Sequence, residues 1–136
     1  MIKLVIFDLD GVLVEARDIH YKALNKALSD VNEKYVIGKE EHLSSYDGLS
    51  TSKKLKKLTK EKGLDEKFHN QIWKDKQKYT HKVISDTVKP DWSIASLLKR
   101  LKHEGYAVYC ASNSIRSSMK LMLLKANYME NIDEYF

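Results

Sequence analysis

An apolar run that is followed at once by two aspartates is the feature that most restricts the fold of this chain. Residues 2–7, IKLVIF, have the apolar and β-branched composition of a short strand buried on both faces of a parallel sheet. Asp8 and Asp10 come next, although aspartate is a poor strand former. Residues two apart on an extended backbone point to the same side, so we expect the two carboxylates to crowd and repel each other where the strand ends.

Helical periodicity dominates the residues after the aspartates. From residue 16 the apolar positions recur at the spacing of one buried stripe: Ala16, Ile19, Ala23, Leu24, Ala27 and Leu28. Residues 30–50 lose this pattern, and Gly38 and Gly48 indicate turns there. Two more helices are predicted over 51–62 and 66–84, the second with an apolar side of Phe68, Ile72, Trp73, Tyr79 and Val83. The region 15–86 is therefore predicted to be all-helical.

A second strand and its flanking helices complete the plan. After Pro90 comes a helix with apolar residues at Ile94, Leu97, Leu98 and Leu101, and Gly105 signals its end. Strand 106–111 follows, and then SNS and a last helix that ends near Asn127, a residue suited to a left-handed cap. This order predicts an α/β fold in which two parallel strands direct the loops Asp8–Leu13 and Ser112–Ser114 to one crevice.

The aspartate pair has two chemical uses at the end of a strand. A divalent cation such as Mg²⁺ would turn the repulsion into attraction, because it prefers oxygen ligands. Without a metal, two like charges raise one pKa and leave that carboxyl able to act as a general acid. Both uses suit phosphoryl transfer, with one carboxylate attacking phosphorus and the other moving the proton. Gly11 would let backbone N–H groups approach the phosphate, although DLDG alone is equally consistent with a simple turn.

The second loop adds hydrogen-bond donors to the same crevice. Ser112 is predicted at the end of a strand and Ser114 at the start of a helix, where hydroxyls and backbone N–H groups bind anions readily. The alternative is that Ser114 or Asn113 only caps the helix.

Length and charge narrow the class of protein. The 136 residues have room for one ordinary domain, or for a small core with a small insert. No stretch approaches the roughly 18 consecutive apolar residues of a membrane span and no signal peptide is visible, so a cytoplasmic location is expected. The net charge is +5, and lysines concentrate in residues 53–62 and 74–82. A nucleic-acid-binding stripe is one explanation, but their helical spacing favours solvated helix faces that would attract anionic substrates.

The single cysteine lies in an apolar stretch of the sequence. Cys110 lies in the apolar segment YAVYCAS and has no cysteine partner within the chain. We expect a buried, reduced thiol with a structural role in preference to a reactive one.

With these residues in place, the sequence resembles the haloacid dehalogenase-like superfamily. FDLDGVLV is similar to its first motif and CASNS to its second, and the branch indicated is that of capped phosphatases and β-phosphoglucomutase-like proteins. The resemblance implies a Rossmannoid parallel-sheet core, here incomplete, built from 1–14 and 87–136. An all-helical cap, residues 15–86, would be inserted into it.

The resemblance also implies roles for the core residues. Asp8 would be the nucleophile that becomes an aspartyl phosphate, and Asp10 the general acid and base. The Asp8 carboxylate and the Asp10 backbone carbonyl would hold Mg²⁺, and Ser112 would bind the transferring phosphoryl group with Asn113 beside it. The second aspartate points to phosphate chemistry, because true dehalogenases lack it.

In the cap, the resemblance implies contacts to a small phosphorylated metabolite. His20 falls on the first cap helix at the position of a commonly retained histidine, although a structural role is equally open. YDGLSTSKKL resembles the specificity loop, with Gly48 as its hinge and with Thr51 and Lys54 as contacts. Several sugar-phosphate members have arginine at the position of Thr51, which weighs against a mutase.

Two motifs of the superfamily are missing from this sequence. A lysine that neutralises the phosphate and an acidic pair that completes the Mg²⁺ site normally lie beyond a segment similar to NIDEYF, residues 131–136. We expect a truncated piece of a longer phosphatase in preference to a natural short form, and little turnover from this chain. The bare edge of the first strand would favour self-association. The alternative function is a non-catalytic module that binds a phosphorylated ligand or nucleic acid.

Overall fold

The computed structural model describes all 136 residues and divides into two compact units. The sheet unit consists of Met1–Ala16 and Ile84–Phe136, and the helical unit of Arg17–Val83. The principal elements follow in the order β1 (Leu4–Asp8), α1 (Arg17–Val31), α2 (Thr51–Lys62), α3 (His69–Thr87), α4 (Trp92–His103), β2 (Ala107–Ala111), α5 (Arg116–Lys125) and β3 (Glu134–Tyr135). Short helical turns cover Glu33–Tyr35, Lys39–Glu41, His42–Tyr46, Glu66–Phe68 and Met129–Asn131.

The three strands form a parallel sheet in the order β1, β2, β3. β1 pairs with β2 from Leu4 opposite Ala107 to Asp8 opposite Ala111, and Tyr109 of β2 lies opposite Glu134 of β3. The parallel pairing of the first two strands confirms the predicted α/β class. The third strand was not predicted, because two residues that include a glutamate carry no strand signal.

The prediction that β1 is buried on both faces was wrong. Leu4 is 42% exposed and Ile6 is 53% exposed, whereas Val108 and Cys110 of β2 are fully buried. β1 is the edge strand of the sheet, and side chains alternate between faces, so one set of its apolar residues has no covering layer in this chain. The strand also begins at Leu4 instead of Ile2.

The core of the helical unit follows from the α1 stripe. All six residues of the predicted stripe are buried. Leu24, Ala27 and Leu28 pack in one cluster with Leu58 of α2 and Ile72 of α3. Residues 30–50, which were predicted to be irregular, contain three short helical turns. Between two of these turns, the Asn25 side chain accepts a hydrogen bond from the Ile37 N–H (2.9 Å) and donates one to the Ile37 carbonyl (2.8 Å). This pairing satisfies the backbone groups of a buried residue in a segment without regular structure.

The α2 helix has the bounds that the sequence predicts, and its caps explain why. Ser50 accepts a hydrogen bond from the Lys53 N–H at the beginning, and Gly63 ends the helix in the left-handed conformation with φ of 69°. Asn127 is likewise left-handed with φ of 64°, as predicted for the end of α5.

The buried sides of α3 and α4 differ from the predictions. On α3, Lys76 and Thr80 are buried along with Ile72 and Ile84, while Trp73 is 37% exposed. On α4, Leu98 is fully buried but Leu97 is 46% exposed. Ile72 is buried as predicted, and Phe68 and Tyr79 pack partly buried against the cluster of the helical unit. The hydrophobic pattern missed Lys76 and Thr80 because both are polar. Thr80 is accommodated by donating its hydroxyl to the Lys76 carbonyl (2.7 Å).

None of the helices is long and apolar enough to span a membrane.

A substitution in the cluster of the helical unit tests this packing. Leu58→Ala is expected to lower the free energy of unfolding by about 2–5 kcal/mol, because it leaves a cavity at a fully buried position. Leu43→Ala, at a residue 45% exposed in the same unit, is the matched control and should change it by less than about 0.5 kcal/mol. Urea titration of both variants measures the difference. Equal losses would contradict the placement of Leu58.

Candidate active site

The carboxyl ends of β1 and β2 lie side by side in the sheet unit. Asp8 is the last residue of β1 and is paired in register with Ala111, the last residue of β2. Ser112 follows immediately, so both loops leave the sheet at the same edge. Asp8 is exposed, whereas Asp10 and Ser112 are half-buried. The parallel pairing therefore places the acidic loop beside the serine loop.

The loop after β1 is a tight turn built on Leu9. The Leu9 carbonyl accepts hydrogen bonds from the N–H groups of Leu13 and Val14 (both 3.0 Å) and of Val12 (3.3 Å). The Gly11 N–H donates to the Val14 carbonyl (2.8 Å), and Gly11 has φ of +78°, a conformation that side chains with a Cβ rarely adopt. DLDG is thus a turn, and this turn fixes the backbone that carries the two aspartates.

The two aspartates have different surroundings. One carboxylate oxygen of Asp8 accepts the Leu9 N–H at 2.7 Å, and Asp8 has no ion-pair partner. Oδ2 of Asp10 accepts a hydrogen bond from the Ser114 hydroxyl at 3.1 Å. A residue of the second loop therefore contacts Asp10, while Asp8 stays exposed at the end of its strand.

The serine loop is held by its own backbone. The Ser112 N–H donates to the Phe136 carbonyl (2.9 Å), and the Ser112 hydroxyl oxygen accepts the Ser114 N–H (3.0 Å). The N-cap position of α5 is Ile115, which offers no side-chain acceptor. Asn113 is exposed.

Cys110 lies buried on β2 behind this edge. Burial, together with the nearby Asp8 and Asp10 carboxylates, raises the pKa of its thiol to about 11. The thiol is therefore neutral near pH 7 and unsuited to act as a nucleophile.

The oxygen donors at this edge fit Mg²⁺ in kind. No group of three or more His, Cys, Asp or Glu residues is arranged to hold a metal ion anywhere in the chain. The candidate donors are the Asp8 carboxylate and the Asp10 backbone carbonyl. Mg²⁺ often binds through one or two carboxylates and keeps several waters or phosphate oxygens, so two protein donors are a sufficient beginning for such a site.

The remaining predicted site residues belong to the helical unit. His20 on α1 is half-buried, with its Nδ1 3.2 Å from the Lys76 Nζ. Gly48 is left-handed with φ of +80° in the turn before α2, and Thr51 is the first residue of that helix. Lys54 is buried, and its Nζ lies 3.4 Å from Nε2 of His42.

His42 and Lys76 are buried polar residues that sequence reasoning missed. Each lies against a residue that it did identify, Lys54 and His20 respectively. Burial and then the Lys54 charge lower the pKa of the His42 imidazole, and burial lowers the pKa of Lys54. Lys76 lies four residues after the buried Ile72, so the helical spacing of α3 could have predicted that it is buried. His42 lies in a short turn, where no such spacing is available.

Comparison with known proteins identifies relatives of the whole chain. Residues 5–136 match the model of a family described as haloacid dehalogenase-like hydrolase. No curated protein matches the sequence significantly.

Three solved structures illustrate the shared fold. CbbY from Rhodobacter sphaeroides, in complex with xylulose-(1,5)bisphosphate, has a TM-score of 0.84 at 17% identity over 99% of this chain and 63% of its own. β-Phosphoglucomutase from Clostridium difficile has a TM-score of 0.76 at 23% identity, covering 99% and 61%. A predicted phosphoglycolate phosphatase from Haemophilus somnus has a TM-score of 0.73 at 20% identity, covering 99% and 62%. The chain therefore spans about three fifths of the length of these proteins.

Replacing His42 by glutamine should remove an acid-dependent loss of stability. A histidine whose pKa is lowered by folding contributes fully above its unfolded pKa of about 6.5; below that pH the unfolded chain binds the additional proton and stability falls. We expect the fall in the free energy of unfolding between about pH 7.5 and about pH 5.5 to be smaller in His42→Gln than in the native chain. His103→Gln, at an exposed histidine, is the control and should keep the native pH dependence. An unchanged dependence in His42→Gln would refute the assignment.

Proposed function

The chain belongs to the haloacid dehalogenase-like hydrolase family, and we propose that its site hydrolyses the phosphate ester of a small metabolite through an aspartyl phosphate on Asp8. The observation that carries the proposal is the meeting of two loops at one edge of the sheet. Asp8 ends β1, and Asp10 accepts a hydrogen bond from Ser114 after β2. Together they offer a nucleophile, a proton carrier and phosphate-binding groups.

Asp8 is the proposed nucleophile. Its carboxylate is exposed, has no cation beside it, and is oriented by the Leu9 N–H on one oxygen. The other oxygen attacks phosphorus, a bond forms between this oxygen and phosphorus, and the ester bond from phosphorus to the metabolite oxygen breaks. The product of this step is the aspartyl phosphate and the free alcohol of the metabolite.

Asp10 is the proposed general acid and base. In the first step its carboxyl gives a proton to the departing metabolite oxygen, and in the second its carboxylate takes a proton from the attacking water. The water oxygen then bonds to phosphorus, and the bond to Asp8 breaks to release inorganic phosphate. The Asp8 carboxylate and the protonated Asp10 carboxyl are thereby restored.

Ser112, Asn113 and Gly11 are the proposed phosphate-binding groups. The Ser112 hydroxyl oxygen already accepts the Ser114 N–H, which leaves its proton for a phosphate oxygen. The left-handed Gly11 has no heavy atom within 4 Å of the position that a Cβ would occupy, so its backbone can be approached closely.

Mg²⁺ is the proposed cofactor, held by the Asp8 carboxylate and the Asp10 backbone carbonyl. When bound, it neutralises charge on the phosphoryl oxygens and lowers the repulsion between a phosphate and a carboxylate nucleophile. The residues of the chain provide the attack, the proton transfer and the orientation.

The substrate is proposed to contact the helical unit at His20, Thr51 and Lys54, with Gly48 as the hinge of the loop that carries the last two. CbbY has been crystallised with xylulose-(1,5)bisphosphate and with phosphate, which supports a small phosphorylated ligand for this chain as well. Thr51 in place of an arginine favours hydrolysis over a sugar-phosphate mutase reaction.

One observation favours a second candidate, a module that binds a phosphorylated ligand without turnover. No third acidic side chain joins the two aspartates in a group that could hold a metal ion. A nucleic-acid-binding role gains less support, because in the lysine-rich segment Lys54 is buried and Lys57 and Lys62 pair with glutamates. Saturable phosphate binding without hydrolysis would favour the binding module.

Asp8→Asn should abolish formation of a carboxyl-phosphoryl mimic. Beryllium fluoride adds to a carboxylate as a phosphoryl group does, and we expect ¹⁹F NMR to show this adduct in the native chain with Mg²⁺. Asp10→Asn, which keeps the nucleophile, is the matched control and should retain the adduct. An adduct that persists in Asp8→Asn would place the nucleophile elsewhere. Turnover of an aryl phosphate, however weak, should likewise disappear in Asp8→Asn.

Removing Mg²⁺ should remove the same signal. With the cation chelated, the negative adduct would face two carboxylates without compensation, so the ¹⁹F signal is expected to vanish and to return when Mg²⁺ is added back. Ca²⁺ at equal concentration should restore it less, because its larger coordination shell suits a site of few donors poorly. A signal that is insensitive to chelation would rule out the metal role of Asp8 and Asp10.

A further inference from the structure

Ser114 is hydrogen-bonded at both its backbone and its side chain. Its N–H donates to the Ser112 hydroxyl oxygen (3.0 Å), and its own hydroxyl donates to Oδ2 of Asp10 (3.1 Å). The first bond ties it to the proposed phosphate-binding serine, and the second to the proposed general acid. A single side chain therefore connects the two loops of the site.

The position of Ser114 is fixed by the sheet. The loop that carries it begins where β2 ends at Ala111, and the Ser112 N–H is held by the Phe136 carbonyl next to β3. Ser112 and Ser114 are both half-buried. The hydroxyl of Ser114 is thus presented to Asp10 from a loop with little freedom to move.

A purely structural role for Ser114, such as capping a helix, does not account for its hydrogen bond to Asp10. The residue does not cap α5, because the N-cap is Ile115. The hydrogen bond from the Ser114 hydroxyl to one oxygen of Asp10 restricts the rotation of the Asp10 carboxyl. A restricted Asp10 carboxyl can direct its proton to one atom, the departing oxygen of the substrate.

We propose that Ser114 is a positioning residue: it holds the Asp10 carboxyl in the orientation that proton transfer requires and links that orientation to the loop that binds the phosphoryl group. The inference rests on the proposed function, in which Asp10 protonates the departing oxygen. The loss of activity on removing the Ser114 hydroxyl should therefore depend on the leaving group of the substrate. A poor leaving group such as an alkoxide needs the proton, whereas a nitrophenolate leaves without it.

The experiment compares two substrates with opposite needs for a general acid. Hydrolysis of glycerol 1-phosphate and of p-nitrophenyl phosphate, both with Mg²⁺, is measured for the native chain, Ser114→Ala and Ser114→Thr. We expect Ser114→Ala to lower kcat on the alkyl phosphate by about tenfold and on the aryl phosphate by less than about twofold. Ser114→Thr keeps the hydroxyl and should restore the native ratio.

Two comparison variants separate positioning from other effects. Ser112→Ala should weaken turnover of both substrates, because both need the phosphate-binding group. Ser96→Ala, at an exposed serine of α4, should change neither. Equal losses on both substrates in Ser114→Ala would overturn the proposal, since they would indicate damage to the fold or to phosphate binding.

The rotamer of Asp10 tests the positioning role of Ser114 without a measurement of turnover. In crystal structures, Asp10 should have one side-chain rotamer in the native chain and in Ser114→Thr, and a different rotamer or several in Ser114→Ala. An unchanged rotamer in Ser114→Ala would overturn the positioning role even if the chain is active. If the native chain hydrolyses neither substrate while Asp10 turns in Ser114→Ala, the failure lies with the proposed function, and the positioning of Asp10 by Ser114 stands.

Discussion

The parallel pairing of β1 with β2 is the interaction on which the candidate site depends. Asp8 and Ala111 end their strands in register, so the acidic turn and the serine loop begin side by side although they are far apart in sequence. A slip by one residue would turn the side chains of β1 to the opposite face and remove the contact between Asp10 and Ser114. The register is supported by Val108 and Cys110, whose complete burial leaves β2 little freedom.

The helical unit contains polar groups in places where apolar residues would be more stabilising. Lys54 and Lys76 are buried, and each has a histidine nitrogen within 3.4 Å. Burying a cation is costly unless it is compensated, which explains why the pKa values of Lys54 and His42 are lowered. The surrounding cluster of Leu28, Leu58 and Ile72 supplies the apolar packing that offsets this cost.

The sequence allowed the α/β plan and most helices to be predicted, because strong periodicity and caps such as Ser50 and Gly63 act locally. The edge position of β1 was expected, but the exposure of Leu4 and Ile6 was not, because it depends on which elements cover the face of the sheet and not on the strand itself. Asp8, Asp10 and Ser112 could be predicted to lie near one another from parallel topology alone. The bond between Ser114 and Asp10 could not, because it depends on side-chain rotamers in two loops whose backbone has no regular period.

Two neighbouring carboxylates can do different chemistry only if their surroundings differ, and the chain achieves this with few groups. Asp8 receives a backbone N–H from the residue that follows it and stays exposed at the end of its strand. Asp10 is half-buried and accepts a hydrogen bond from the Ser114 hydroxyl of the serine loop. The proposed nucleophile and the proposed proton carrier therefore differ in environment and not in residue type. The turn on Leu9 fixes the backbone that carries both aspartates, because the Leu9 carbonyl accepts the N–H groups of Val12, Leu13 and Val14.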